Sequence, residues 1–148
     1  HFNLTTKRYS QSDIENVAAD PDRITLYGKL GDKFGDNGVV SIVIGRIDGD
    51  HRDELHMELW LMSCRVLKRD MEYAMMDELV EKAKAAGIKK LVGYYYPTAK
   101  NAMVKEFYAL QGFKKITEDE AVNTVWEFMI DDSYKKKQHV IAVNERKE

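Results

Sequence analysis

The sequence predicts an α+β domain, a mixed and mostly antiparallel sheet flanked by helices. Two observations carry this. Three strand-like segments joined by short turns come first, and over residues 70–86 the hydrophobic spacing changes from the period of a strand to that of a helix. The segment after that helix, residues 91–96, reads as another buried strand, and strand–helix–strand is a crossover that sets two strands parallel.

Taken in order, residues 12–19 read as a short helix that Ser10 or Ser12 can cap, with Pro21 after its end. Residues 23–30 alternate, with Ile24, Leu26 and Leu30 on one face of a half-buried strand. Residues 31–38 read as a loop, with turn chemistry supplied by Asp36, Asn37 and Gly38. Residues 39–47 are a β-branched run suited to a central strand. After a reversal at Asp48-Gly49-Asp50, residues 55–63 form a third strand. Strict alternation puts His56, Glu58, Trp60 and Met62 on one of its faces and Leu55, Met57, Leu59 and Leu61 on the other.

In the helix over 70–86, Met71, Met75, Leu79, Val80 and Ala83 recur at helical spacing and Gly87 stops it. After the strand at 91–96, Thr98 can cap a helix over 99–110, which Gly112 terminates. A hairpin, residues 113–116 and 124–130 around an acidic turn at Glu118-Asp119-Glu120, closes the domain. Residues 131–148 are polar, with Lys135-Lys136-Lys137, and read as a solvated tail.

The bulk properties exclude several function classes. The 148 residues suffice for one domain with a core, 44% hydrophobic and 32% charged, and the net charge of −2 gives no footprint for nucleic acid or a membrane surface. No apolar run approaches the roughly 20 residues of a membrane span, and no signal peptide is visible. The single Cys64 cannot form an internal disulfide and fits the cytoplasm. His1, His51, His56 and His139 are scattered without ligand spacing, so no metal is expected. Neither a Walker-type loop nor a dinucleotide fingerprint is present.

The order of elements, with the pattern Asn101…Tyr108…Gly112-Phe113, resembles the GNAT acyltransferase fold from its second strand to its last. That resemblance implies two central parallel strands that splay apart, here residues 58–64 and 91–95, with an acyl-pantetheine in the gap bonded to the earlier strand around Met62 and Ser63. The phrases Phe2-Asn3-Leu4-Thr5-Thr6, Lys33-Phe34-Gly35-Asp36-Asn37-Gly38, Trp60-Leu61-Met62-Ser63-Cys64-Arg65-Val66-Leu67 and Pro97-Thr98-Ala99-Lys100-Asn101 are together similar to the C-terminal half of FkbH-like proteins. Those proteins join an upstream HAD-type phosphatase domain to a GNAT-like domain. The resemblance implies an acyl carrier protein as partner and a glyceryl thioester on its phosphopantetheine, feeding methoxymalonyl-type polyketide extender units. Residues 1–11 would then be a linker from the upstream domain of the same polypeptide, 12–130 the GNAT-like domain and 131–148 the tail.

A pyrophosphate is usually gripped by backbone amides at a helix start, where glycines permit close approach. The family pattern is Arg/Gln-x-x-Gly-x-Gly/Ala, and here the segment reads Arg65-Val66-Leu67-Lys68-Arg69-Asp70-Met71-Glu72. With Arg65 opening the motif, Lys68 and Asp70 stand at the glycine positions; with Leu67 opening it, Asp70 and Glu72 do. A carboxylate about 4 Å from a phosphate charge costs roughly 4 kcal/mol at an effective dielectric near 20. Asp70 either opposes the phosphate in this way or caps the helix, while Arg65, Lys68 and Arg69 attract an anion. Free coenzyme A is therefore expected to bind weakly, and a carrier's single-phosphate arm to suffer less.

Each candidate catalytic residue has a structural alternative. By the resemblance Tyr108 is the general acid for the leaving thiolate; otherwise it is a packing residue beside Phe107. Glu58 is a general base if desolvation raises its pKa, or an ordinary strand carboxylate. Cys64 is an acyl-accepting thiolate helped by Arg65, or a small buried residue. Asn101 bonds the pantetheine arm or sits in the first turn of its helix, and one face of Tyr94-Tyr95-Tyr96 lines the gap while the other packs. The leading functional expectation is an acyltransferase domain acting on a carrier-bound thioester. The alternatives are a non-catalytic carrier-docking or pantetheine-binding module, and a stand-alone N-acetyltransferase using acetyl-CoA.

Overall fold

The computed structural model describes residues 2–5, 7–32, 35–62, 71–132, 134 and 143–145. Its strands form one eight-stranded sheet among those residues. In chain order they are β1 (Phe2–Asn3), β2 (Arg23–Asp32), β3 (Gly35–Ile47), β4 (Glu54–Met62), β5 (Lys90–Tyr95), β6 (Lys114–Glu118), β7 (Thr124–Met129) and β8 (Val143–Glu145). The spatial order is β6-β7-β5-β4-β3-β2-β8, with β1 paired to β4. Helices α1 (Gln11–Ala18), α2 (Met71–Ala85) and α3 (Phe107–Leu110) complete the fold.

Local chemistry explains most element ends. Ser10 caps α1, its Oγ accepting the Asp13 amide at 3.0 Å while Asp13 Oδ2 accepts the Ser10 amide at 2.9 Å. Gly87, at φ +82°, ends the turn after α2 in a conformation that favours glycine. The loop expected at 31–38 is instead mostly paired backbone: Gly31 faces Asp36 and Asp32 faces Gly35, so β2 and β3 make a long hairpin. Ladder pairing with a long partner overrides the turn preference of Asp36-Asn37-Gly38 there.

The most consequential departure is in β4. Ile44 pairs with Leu59, but the next residue, Gly45, pairs with Met57, so Glu58 is an extra residue, a β-bulge. One inserted residue reverses which side chains face which way. Leu55, Met57, Trp60 and Met62 consequently share the core with Met75, Met76, Leu79 and Val80 of α2. Leu59 and Leu61 face the opposite side, toward Ile14 of α1. The uninterrupted alternation expected for this strand is corrected accordingly.

Two further expectations change. Residues 99–110 do not form one helix: a 3-10 turn at Ala102–Val104 precedes α3. Val104 and Lys105 bond back three residues, to Asn101 and Ala102, whereas Leu110 and Gln111 bond back four. The buried side chains Val104, Phe107 and Tyr108 still fall at helical spacing. Within the stretch read as a solvated tail, β8 pairs antiparallel with β2. Tyr134 packs on Phe128 there, and its hydroxyl donates to Asp77.

Candidate active site at the splayed strands

β4 and β5 are hydrogen-bonded in parallel only at Glu54–Lys90, Leu55–Leu91 and His56–Val92. Beyond His56 the strands continue, to Met62 and Tyr95, without pairing to each other. Splaying leaves backbone groups on both facing edges that need partners.

The chain supplies those partners itself. Leu4 lies between the two strands: its N–H donates to Trp60 O at 3.1 Å, and its carbonyl accepts the Tyr96 N–H at 2.8 Å. Thr5 Oγ1 donates to Glu58 O at 3.1 Å, and β1 pairs Phe2 with Met62 and Asn3 with Leu61. Leu4 is fully buried in the core, a burial that contributes about 1.5–3 kcal/mol.

Tyr108 closes the gap from the α2–α3 side. Its hydroxyl accepts the Tyr94 N–H and donates to the Tyr94 carbonyl, both at 3.2 Å. The ring lies over Gly93, where an added Cβ would meet it at 2.4 Å. Burial pushes the Tyr108 pKa far up, with the Tyr94 backbone bond opposing only in part, so the phenol keeps its proton at neutral pH. Trp60 packs edge-on against Phe107 and Tyr108, and its Nε1 has no hydrogen-bond partner among the described residues.

Glu58, the bulge residue, is gripped by cations. Its carboxylate meets Arg23 Nε at 2.5 Å, Lys7 Nζ at 3.1 Å and Arg46 Nε at 3.8 Å. Burial alone would raise its pKa, but Arg23 and Lys7 outweigh burial and hold it below the usual range. That direction is opposite to the one a general base near neutrality requires.

Asn101 is buried and organises the backbone. Its Oδ1 accepts the Thr98 N–H at 2.7 Å and the Tyr95 hydroxyl at 3.2 Å; its Nδ2 donates to Asn3 O and Tyr96 O, each at 2.8 Å. Every polar atom of the side chain is thus engaged within the protein, and Asn101 ties β1 to the end of β5. Met62 is a core residue of β4, facing Phe2 of β1 and Ser41 of β3. Ser63, Cys64, Arg65, Lys68 and Arg69, and with them the expected phosphate turn up to Asp70, lie outside the described residues.

On the α1 side of the sheet a cleft of about 560 Å³ opens against the splayed region. Leu59, Leu61 and Ile14 give it an apolar lining, and Lys7, Arg8 and Lys100 contribute cations. Where the strands part, Glu54 Oε1 lies 3.1 Å from His56 Nε2 and His56 Nδ1 lies 2.6 Å from the Tyr94 hydroxyl. The His56 and Tyr94 rings stack at 5.9 Å. This carboxylate–imidazole–phenol chain is absent from the sequence-derived candidates. Its sequence signals were the period-two spacing of Glu54 and His56 and the Tyr94-Tyr95-Tyr96 run, but Tyr94 is 38 residues from His56 and nothing in the sequence joins them.

No family model matches the chain. No curated protein matches it. Solved structures do. A protein from Desulfovibrio desulfuricans described as an acetyltransferase of the GNAT family superposes with a TM-score of 0.65 at 10% identity, covering 82% of this chain and 78% of that one. The fold is that of the GNAT acetyltransferases. The GNAT domain of S. lividans PAT gives 0.63 at 21% identity, over 82% of this chain and 70% of that one. N-acetylglutamate synthase from Neisseria gonorrhoeae, solved with coenzyme A and N-acetyl-glutamate, gives 0.59 at 14% identity, over 84% of this chain but 28% of that one. Within this GNAT frame Tyr94 is gripped twice, its backbone by Tyr108 from the α2–α3 side and its phenol by His56.

Proposed function

We propose that the chain is a GNAT-type acyltransferase domain that takes an acyl group from a pantetheine thioester and passes it to a nucleophile entering from the α1-side cleft. The observation that carries this reading is the parting of β4 and β5 after His56 and Val92, beside that cleft. Coenzyme A thioesters are the favoured donor, because a protein of the same fold is solved with coenzyme A. Attack on the thioester forms a bond from the acceptor nitrogen or oxygen to the acyl carbon and breaks the carbon–sulfur bond. The acceptor loses a proton and the leaving thiolate gains one. On the thiolate side the proton comes from solvent, since Tyr108 is buried, its pKa is pushed up by that burial and its hydroxyl proton is donated to the Tyr94 carbonyl. The Glu54–His56–Tyr94 chain is the proton acceptor on the other, with Glu54 orienting the imidazole.

A carrier-borne donor is the second reading. Lys68 and Asp70, or Asp70 and Glu72, stand where glycines would admit a pyrophosphate, which penalises coenzyme A more than the single phosphate of a carrier arm. An upstream phosphatase-like domain and a glyceryl thioester belong to this second reading.

Release of free thiol distinguishes the donors. Acetyl-CoA and an acylated carrier protein are each incubated with the protein and a panel of amines and hydroxy compounds. Acceptor-dependent thiol release from acetyl-CoA supports the first reading, and release from the carrier alone supports the second. No release and no binding of either donor overturns both.

A further inference from the structure

We propose that the Phe2–Thr5 segment is a displaceable plug: it occupies the slot of the pantetheine arm, and the arm binds by exchanging with it. The inference rests on the acyltransferase reading above and assigns that site its regulation.

The argument is one of hydrogen-bond supply. Where β4 and β5 part, the inward-facing backbone groups include Trp60 O, Glu58 O and the Tyr96 N–H. All three are taken by the segment, through the Leu4 N–H, the Thr5 hydroxyl and the Leu4 carbonyl. A pantetheine arm is an extended chain carrying two amides, so it offers the same donors and acceptors in the same elongated form. A carbonyl aligned with the Leu4 amide, or an N–H aligned with the Leu4 carbonyl, is not open to a second partner along that direction. Segment and arm are alternatives at these groups.

The attachments of the segment suit exchange. It adds only two residues of ladder, Phe2 with Met62 and Asn3 with Leu61. Its downstream ion pair, Lys7 with Glu58, has a lysine side chain 51% exposed, while the Asn101 Nδ2 bond to Asn3 O and the burial of Leu4 set the cost of opening that the arm must offset. Asn3, Thr5, Lys7, Arg8 and Tyr9 also form a wall of the α1-side cleft. Withdrawing the segment therefore removes the Asn3 and Thr5 part of that wall and joins the slot to the cleft, so donor and acceptor meet only when the plug is out. While the plug is in, apparent affinity falls by the fraction of molecules that are open.

The test follows amide exchange and binding together, with coenzyme A and 4′-phosphopantetheine as probes. On saturation with either, exchange of the Leu4 amide is expected to rise about tenfold or more, with the core amide of Leu91 unchanged. A probe that binds while Leu4 stays protected overturns the plug and leaves the acyltransferase reading standing. Cysteines at the facing positions Asn3→Cys and Leu61→Cys, in a Cys64→Ser background, lock the segment when oxidised. The locked form is expected to bind about tenfold more weakly than its reduced form, and equal affinity overturns the proposal. Leu4→Ala, which loosens the plug, is expected to bind more tightly than wild type. If it does not fold, the locked pair decides alone. Failure of wild type, the reduced pair and folded Leu4→Ala to bind either probe overturns the acyltransferase reading together with the plug. Response to coenzyme A but not to phosphopantetheine assigns the slot to a nucleotide-bearing donor, and the reverse to a carrier arm.

Discussion

The Tyr108 hydroxyl replaces a missing strand for Tyr94, accepting its N–H and donating to its carbonyl at 3.2 Å each. The family-like position of this tyrosine thus carries a structural duty as well as any chemical one. Tyr108→Phe is expected to lower stability by about 1–3 kcal/mol, because two backbone groups lose their partner in a buried site. Urea unfolding measures that loss, and transfer rates read at temperatures where both proteins are folded separate it from catalysis.

Gly93 is fixed by the same ring. A Cβ there would lie 2.4 Å from Tyr108, and the ring is packed among Trp60, Phe113 and Trp126. Gly93→Ala is expected to cost about 1–3 kcal/mol. Most of that cost should vanish in a Tyr108→Ala background, so a double-mutant cycle on unfolding free energy is expected to show strong coupling.

Glu58 gives the fold an acid-sensitive joint. Its pKa is lower in the folded protein than the reference 4.5, so its stabilisation is fully present above that value and is lost as pH falls through the folded pKa. Glu58→Gln should lower stability at pH 7 by about 1–3 kcal/mol. It should also flatten the decline of stability below pH 4.5. Unfolding curves of both proteins across that range provide the check.

Asn101→Ala strips partners from the Thr98 amide and the Asn3 and Tyr96 carbonyls, while the Tyr95 hydroxyl keeps the residue 101 carbonyl. A loss of at least about 2 kcal/mol is expected. Amide exchange should quicken first at Leu4 and Tyr96, whose own hydrogen bond sits beside the Asn3 and Tyr96 carbonyls that the side chain ties together.

His56→Ala and Tyr94→Phe are expected to lower kcat about a hundredfold with little change in KM, as loss of a proton acceptor requires. Unchanged kcat in both variants would remove the Glu54–His56–Tyr94 chain from the mechanism.

The architecture was largely legible because it rests on local signals: the Ser10 cap, the change of period at α2, the Gly87 stop and the strand–helix–strand crossover. The long β2–β3 hairpin and β8 were not, since both depend on partners supplied by the fold. The bulge at Glu58 is invisible for a sharper reason: residues 54–62 alternate acceptably in either phase, and only pairing with β3 shows the inserted residue. Tyr108 and Asn101 stood out by pattern, but their bonding depends on contacts with Tyr94, Asn3 and Tyr96 that the sequence does not mark. Leu4 looked like part of a linker because a single leucine has no periodicity to read.

β8 has a consequence for how the molecule meets its neighbours. Val143–Glu145 covers Gly28, Tyr27 and Leu26 on the outer side of β2. Backbone donors and acceptors left open along such a margin recruit strands from other chains. A protein ending at Tyr134 would carry a self-adhesive border there, and its propensity to assemble edge to edge should rise with concentration while the Tyr134 contacts with Phe128 and Asp77 stay in place.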